Sequence, residues 1–482
     1  MSTTVTKRMM KNTSWLLGGT VISGVINFFV IIYLARILGA AAFGLFFFVQ
    51  AFLSYLILFV DSGISMLGVK EIASNMNKAG SIIINIVMIR FVLAVIIYLI
   101  SVVAVLLLPI QSDIRILFFI TLSVIFYRAL STDWIFQGLE KMEYITLSKL
   151  CYSLPYLFVI VYLIKKPDDL LKVPTIQMLF GVLVSIIFLI IIYKKLFLFK
   201  IATVDILSWR KYLFAAVPLS AAMLLNQVYS NLDSIMLGIM KSTSVVGYYN
   251  ASYHVFNVMI NVFFIWQSTA LPVVSGLITK DLAKAKVFLD KYIRLTLLIA
   301  IPVAVVVNIT APLIINVVFG NNYNDAIVSL MILVWTLIPL VIGSIYGITI
   351  MIPTGQYNKL YIAAGLGAIV NILLNIILIP SLSYVGAAYA TIFAYVIVAI
   401  TLISFSKNIL PFKYADYLLK PVCFSVVGFI LAKTSFVIIR PFNQLFYISF
   451  AGIVFIVSYI TAVALFDRDF IYEFAKEILR RE

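Results

Sequence analysis

Three basic side chains lie inside long apolar runs of this sequence, where a charge is unfavourable unless it has a partner or a function. Arg128 falls near the middle of the run over residues 114–138, which predicts a single helix. Arg90 and Lys149 lie nearer the ends of their own runs. Because a guanidinium presents a rigid fork of donors, Arg128 is predicted to bind a phosphate-bearing group. Arg90 and Lys149 are candidates for the same site, or for contacts with lipid headgroups.

Three aspartates also lie in apolar runs: Asp61, Asp133 and Asp233. The first two are expected at a depth similar to that of Arg90, so either could form an ion pair that stabilises one conformational state, or could cap a helix end. Asp233 shares a polar stretch with Asn231, which is predicted to contact sugar hydroxyls or a coupling cation, or to form hydrogen bonds between helices. The three aspartates are therefore ion-coupling or gating candidates.

The residues that common catalytic and energy-coupling sites require are missing from the sequence. No Gly-Lys pair occurs, so the phosphate-binding loop of an ATP-driven pump cannot be formed. His254 is the only histidine, which excludes imidazole metal clusters within one chain. The paired acids Asp168 and Asp169 fall in a short loop after Pro167 and are interpreted as a solvated turn. We predict no enzymatic activity, no cofactor and no metal site.

The elements that position these charges are predicted from the apolar composition. Hydrophobic residues make up 64% of the 482 positions and charged residues 11%, a balance that would leave a water-soluble fold with an apolar surface. Apolar runs of about 20 residues predict an all-α polytopic membrane protein with about 14 transmembrane helices. We predict two six-helix lobes, residues 1–200 and 201–410, followed by two extra transmembrane helices and a cytoplasmic tail in residues 411–482.

The formal charge of +16 is spread through short connections between the apolar runs. Lysines and arginines concentrate in alternate connections, above all the one from Lys194 to Lys211, which predicts that these connections and both termini are cytoplasmic. The basic loops are expected to contact anionic membrane lipids. A nucleic-acid binder would concentrate its charge on one face of a soluble module, so nucleic acid is not a predicted partner.

Several short motifs resemble one family of membrane transporters. They are Ala35-Arg36-Ile37-Leu38-Gly39 with Gly44, Asp61-Ser62-Gly63 with Lys70-Glu71-Ile72-Ala73, Asp133-Trp134-Ile135-Phe136-Gln137-Gly138, Asn231-Leu232-Asp233-Ser234-Ile235-Met236-Leu237-Gly238, Val246-Gly247-Tyr248-Tyr249, and Asn371 to Pro380 followed by Gly386-Ala387-Ala388. Together these motifs, over residues 12–400, resemble the Wzx-type O-antigen and exopolysaccharide flippases. That polysaccharide transporter family belongs to the MOP superfamily, which also contains the multidrug (MATE) antiporters and the peptidoglycan-precursor flippases.

The resemblance implies a function in lipopolysaccharide or exopolysaccharide biosynthesis. A flippase of this family carries an undecaprenyl-pyrophosphate-linked oligosaccharide from the cytoplasmic to the periplasmic leaflet of the bacterial inner membrane by alternating access, with ion-coupled exchange as a further expectation. A polysaccharide polymerase and the chain-length machinery are the protein partners implied. Arg36, which lies in the first motif, completes the substrate-binding candidates.

Two other functions are compatible with the same pattern. A MATE-like cation or drug antiporter is expected to line its cavity with carboxylates, whereas a pyrophosphate carrier is expected to use arginine and lysine. Arg128 favours the carrier. A membrane scaffold for polysaccharide assembly would not require charges inside its helices, so the charges count against that alternative.

Overall fold

A computed structural model describes residues 2–61, 63–196, 204–413, 415–438 and 444–468. Helices are the regular elements of these ranges, and no strand occurs in them. Twelve segments are long and apolar enough to cross a membrane, and the first of them, Lys11–Ser74, is 64 residues long. The predicted all-α polytopic membrane fold is therefore confirmed. The predicted cytoplasmic tail lies, from residue 469 onward, outside the described residues.

The chain forms two compact units, Met1–Gly247 and Tyr248–Glu482. The helices of the first unit are α1 (Ser2–Asp61), α2 (Ile64–Ser74), α3 (Ala79–Leu107), α4 (Ser112–Ala129), α5 (Asp133–Gly138), α6 (Met142–Leu163), α7 (Lys172–Leu196) and α8 (Ile206–Met240). Short 3-10 turns, Met76–Lys78 and Pro167–Leu171, precede α3 and α7. The six-helix lobes predicted from the sequence stay a prediction.

The second unit contains most of α9 and all of the helices that follow it. They are α9 (Thr243–Lys280), α10 (Leu282–Val318), α11 (Ala326–Leu333), α12 (Leu337–Ser344), α13 (Tyr357–Leu382), α14 (Tyr384–Ser406), α15 (Lys420–Ile438) and α16 (Gln444–Phe466). Asp281 caps α10 by accepting hydrogen bonds from the backbone N–H groups of Ala283 and Lys284. The bond from Lys284 is the main reason that the pKa of Asp281 lies below its usual range.

Gly39 divides α1 into two halves. Its backbone has φ 72° and ψ 169°, which interrupts the helical hydrogen bonding and is easily adopted only by glycine. Sixty consecutive residues would otherwise form a helix about three times longer than a membrane crossing needs. Each half of α1, on either side of Gly39, is therefore long enough to cross a membrane by itself.

The span predicted over residues 114–138 corresponds to the membrane-crossing segment Ser112–Gly138, but this segment is not one continuous helix. The structure contains two helices, because α4 ends at Ala129 and α5 begins at Asp133. Ser131 and Thr132 lie in the break, and their hydroxyl groups can replace helical hydrogen bonds with local ones. An apolar run shows no such interruption, since hydropathy reports burial in lipid rather than backbone continuity. The break places Arg128 in the last turn of α4.

Two glycines allow a close backbone contact between α1 and the beginning of α9. A Cβ atom on Gly44 would lie 1.8 Å from the carbonyl oxygen of Thr243, and one on Gly247 would lie 2.1 Å from the carbonyl oxygen of Ala40. Small residues allow this approach, which stabilises helix pairs in membranes through van der Waals contact. Both glycines belong to motifs that carry the family resemblance.

We expect Gly44→Ala to destabilise the first unit by about 1–3 kcal/mol, because the backbones must separate to admit the methyl group. The matched control is Gly18→Ala, since a Cβ atom at Gly18 would have no neighbour within 4 Å. The amount of monodisperse protein and its thermal unfolding midpoint measure the effect. Equal midpoints for the two variants would contradict the assigned contact.

Candidate functional site

A polar cavity of about 400 Å³ opens within the first unit. The helices α1, α4, α5, α6 and α7 contribute to its lining. Hydroxyl and amide side chains dominate that lining: Thr20, Ser23, Asn27, Ser131, Thr132, Ser148, Ser153 and Ser185. A polar cavity within membrane-spanning segments is unfavourable without a hydrated or ligand-binding role, so this is the candidate functional site.

Three charged side chains line the cavity: Arg128, Lys149 and Asp133. Arg128 is exposed although it belongs to a membrane-spanning segment, so its guanidinium is accessible from the cavity. The ammonium of Lys149 donates a hydrogen bond to the Thr20 hydroxyl over 3.1 Å. Asp133 accepts one from the Ser148 hydroxyl over 2.9 Å. With two cations and one carboxylate, the lining favours an anionic ligand.

Tyrosine rings position the guanidinium of Arg128. The Cζ atom of Arg128 lies 5.1 Å from the centroid of the Tyr127 ring, within the range of a cation–π interaction. The Tyr127 ring stacks on Tyr152 at 6.1 Å, and Tyr152 stacks on Tyr156 at 5.4 Å. Gly181 of α7 leaves room for this arrangement, because a Cβ atom there would lie 2.3 Å from Cγ of Tyr127.

Arg90 closes the break between α4 and α5. Its Nη2 atom donates to the Arg128 carbonyl over 2.5 Å and to the Ser131 hydroxyl over 3.1 Å, and its Nη1 atom donates to the Ser131 carbonyl over 3.2 Å. The Arg128 carbonyl lies in the last turn of α4, where a helix presents partial negative charge, and the Ser131 carbonyl lies in the break that follows. Arg90 therefore supplies side-chain donors at the break, where the Arg128 carbonyl also accepts a hydrogen bond from the backbone N–H of Ser131.

Asp61 is the carboxylate that pairs with Arg90. The Nε atom of Arg90 lies 3.3 Å from Oδ1 of Asp61, and the side chains are 5% and 22% exposed. The two groups lie at ion-pair distance but are not aligned for a hydrogen bond. Asp61 accepts a hydrogen bond from the Ser65 hydroxyl. The ion pair predicted for this depth is thus present. Arg90 is not among the residues that line this cavity, and its role in substrate binding stays a prediction.

The remaining sequence candidates lie away from this cavity. Arg36 is exposed on α1, and the Asn231 amide of α8 donates to Oε1 of Gln227 over 2.6 Å. Asp233 is 3% exposed. None of the three is part of the cavity lining. Their roles in substrate binding or ion coupling stay predictions.

Comparison with known proteins assigns the chain to a family. Residues 9–278 match the family described as "Polysaccharide biosynthesis protein". The chain belongs to that family. It is 24% identical to the "Putative O-antigen transporter" of Escherichia coli (strain K12) over 382 residues, which cover 78% of this chain and 91% of the relative.

Solved membrane transporters share the fold. A structure of the lipid II flippase MurJ in an inward closed conformation superposes with a TM-score of 0.79 at 16% identity, covering 95% of this chain and 99% of that one. An inward-facing multidrug resistance MATE transporter of the MOP superfamily superposes with a TM-score of 0.64 at 14% identity, covering 80% and 94%. The predicted family resemblance and the MATE/MOP-like fold are confirmed.

The sequence interpretation missed the uncharged part of the cavity. Thr20, Ser23 and Asn27 project from one helix at intervals of three and four residues, which is the spacing of one helical face. A polar face in an otherwise apolar run can be recognised from the sequence. Tyr127 and Tyr152 carried no comparable signal, because tyrosines are common throughout membrane helices and near their ends.

Proposed function

We propose that this protein translocates an undecaprenyl-pyrophosphate-linked oligosaccharide, an O-antigen or exopolysaccharide repeat unit, from the cytoplasmic to the periplasmic leaflet by alternating access. The observation that carries the proposal is the exposed guanidinium of Arg128 in a polar cavity within a membrane-spanning segment. A diphosphate offers the oxygen acceptors that this donor fork matches, and Lys149 adds a second cation. The hydroxyl-rich lining offers partners for sugar hydroxyls.

The charge of the lining favours this function over export of cations. A cation antiporter needs acceptors for a positive ligand, whereas this lining sets one carboxylate, Asp133, against the two cations Arg128 and Lys149. Ion-coupled exchange is part of the proposal, and Asp61, Asp133 and Asp233 are the carboxylates proposed for coupling or gating.

A deletion strain tests the proposed function. Cells that lack the gene should lose surface polysaccharide and accumulate lipid-linked oligosaccharide whose sugars face the cytoplasm, and the wild-type gene should restore both. An unchanged amount of surface polysaccharide after deletion, together with increased sensitivity to cationic drugs, would contradict the proposal and support the antiporter.

The proposal places the protein in the bacterial inner membrane with both termini in the cytoplasm, near a polysaccharide polymerase and the chain-length machinery. Topology reporters test the orientation. We expect cytoplasmic signals at Lys78, Arg210 and Lys284, because the basic connections remain inside. We expect periplasmic signals at Asp113, Lys166 and Asn322. A periplasmic signal at Arg210 would contradict the proposed orientation.

We expect Gly181→Ala to lower transport about tenfold or more, because the new methyl group displaces the Tyr127 ring and with it the guanidinium of Arg128. Surface polysaccharide per molecule of membrane-inserted protein is the measurement. The control is Gly365→Ala, whose Cβ atom would have no neighbour within 4 Å. Transport by the Gly181 variant at the control's level would show that the ring does not position Arg128.

A further inference from the structure

A second cavity of the first unit, about 380 Å³, lies at the ends of α2, α3 and α8 and shares no lining residue with the first. Lys70, Lys78 and Lys211 line it. The membrane-spanning segments that contribute to it end at Ser74 and begin at Met76, so the cavity lies at a membrane surface. The proposed transport does not use this cavity, although Lys211 belongs to a basic connection that the sequence assigns to contact with lipids.

The acidic side chains of the lining already have partners, whereas the lysines do not pair with them. The Glu71 carboxylate accepts a hydrogen bond from the Tyr212 hydroxyl over 2.7 Å. Asp205 accepts hydrogen bonds from backbone N–H groups at the beginning of α8. Within the described part of the chain, no ion pair involves Lys70, Lys78 or Lys211. The three lysines are exposed, so the lining carries three cationic groups against two carboxylates and is net positive.

A buried amide connects the walls of this cavity. Asn85 of α3 is 2% exposed, and its Oδ1 atom accepts from the backbone N–H of Asp205 over 2.8 Å and from Nε1 of Trp209 over 2.9 Å. Its Nδ2 atom donates to the Ser81 carbonyl over 2.8 Å. With the Glu71–Tyr212 bond, these contacts hold α2, α3 and the beginning of α8 together. The cavity is thus formed before any ligand arrives, which reduces the ordering that binding requires.

We propose that this cavity binds the phosphate of a lipid headgroup. Its lysines supply strongly hydrated point charges, which suit a phosphate that remains partly in water. Its position at a membrane surface, cytoplasmic by the loop charges, is where headgroup phosphates lie. A phospholipid of that leaflet and the diphosphate of a lipid-linked substrate present the same chemistry to the three ammonium groups.

Native mass spectrometry of the detergent-purified full chain tests the site. One arm titrates phosphatidylglycerol and the other titrates undecaprenyl pyrophosphate, so the arm with the larger effect identifies the source of the phosphate. The test variant is Lys70→Gln/Lys78→Gln/Lys211→Gln. The control is Lys280→Gln/Lys286→Gln/Lys407→Gln, which removes equal charge outside the cavity. We expect the first bound lipid to be held about a hundredfold more weakly by the test variant, and less than about threefold more weakly by the control.

Equal weakening in both variants would overturn the proposal, because binding would then depend on diffuse surface charge. No weakening in the test variant would also overturn it, because binding would then not depend on these lysines. The variant Lys70→Arg/Lys78→Arg/Lys211→Arg changes the same three side chains but keeps their charge. It therefore separates an effect of lost charge from an effect of misfolding in the glutamine variant. Wild-type affinity in the arginine variant supports the site, and a hundredfold loss in it contradicts the site. Since binding is measured without transport, the result is independent of the proposed translocation.

Discussion

Arg128→Ala should lower transport about tenfold to hundredfold while leaving the amount of membrane-inserted protein unchanged. The substrate's diphosphate would lose a charge-assisted contact, for which about 1.5–3 kcal/mol is typical. Folding should be preserved because the Arg128 side chain is exposed in the cavity, and Arg90 is bound by the backbone carbonyl of residue 128, which alanine retains. Surface polysaccharide and membrane-inserted protein, measured together in the deletion strain, give both quantities.

Arg128→Lys serves as the matched variant, since it keeps the charge but loses the bidentate fork. We expect transport between that of wild type and that of Arg128→Ala. Normal surface polysaccharide from well-expressed Arg128→Ala would contradict the role assigned to the guanidinium. A fall in protein amount that matches the fall in polysaccharide would instead assign Arg128 to folding.

Arg90→Ala, in contrast to Arg128→Ala, should cause a large loss of folded protein. The substitution leaves Asp61 without its cation and removes the side-chain donors to the carbonyls of Arg128 and Ser131 at the break. Removing one partner of a buried ion pair costs about 3–5 kcal/mol, and the partial exposure of Asp61 favours the lower value. The thermal unfolding midpoint and the monodisperse yield of purified protein measure this loss.

Two variants complete the test of Arg90. Arg210→Ala removes an exposed arginine of the same unit and should leave the unfolding midpoint close to that of wild type. Arg90→Met/Asp61→Asn removes both charges and should recover part of the stability lost in Arg90→Ala, since no unpaired charge remains. If Arg90→Ala and Arg210→Ala unfold at the same temperature, Arg90 does not hold the break between α4 and α5.

The fold class and the deep charges were predictable from the sequence because both follow from transfer into lipid. Apolar runs of crossing length specify membrane helices, and an ionisable side chain within such a run requires a partner or a function. The Arg90–Asp61 pair follows from this reasoning. Which arginine is bound in the ion pair and which is exposed to the cavity does not follow from the sequence, because this depends on side-chain geometry.

The break after Ala129 and the shape of the cavity required the structure. Ser131 and Thr132 are common inside membrane helices, so their presence does not specify an interrupted backbone. The cavity is formed by helices that are distant in sequence, since Thr20 of α1, Lys149 of α6 and Gly181 of α7 line it together. The second, lysine-lined cavity was hidden for the same reason. Basic residues near a membrane surface indicate the orientation of the chain in the membrane. They indicate a binding site only when the fold brings them together.

Reconstitution tests the central claim most directly. Purified protein is inserted into vesicles that carry undecaprenyl-pyrophosphate-linked oligosaccharide from the native strain, and a membrane-impermeant glycosidase reports which sugars are accessible outside. In the absence of ATP, with an ion gradient across the vesicle, wild-type protein should make sugars of the inner leaflet accessible, and Arg128→Ala should do so about tenfold to hundredfold more slowly. An accessible fraction that stays at its protein-free level under every ion gradient, or that changes only when ATP is hydrolysed, would contradict the account.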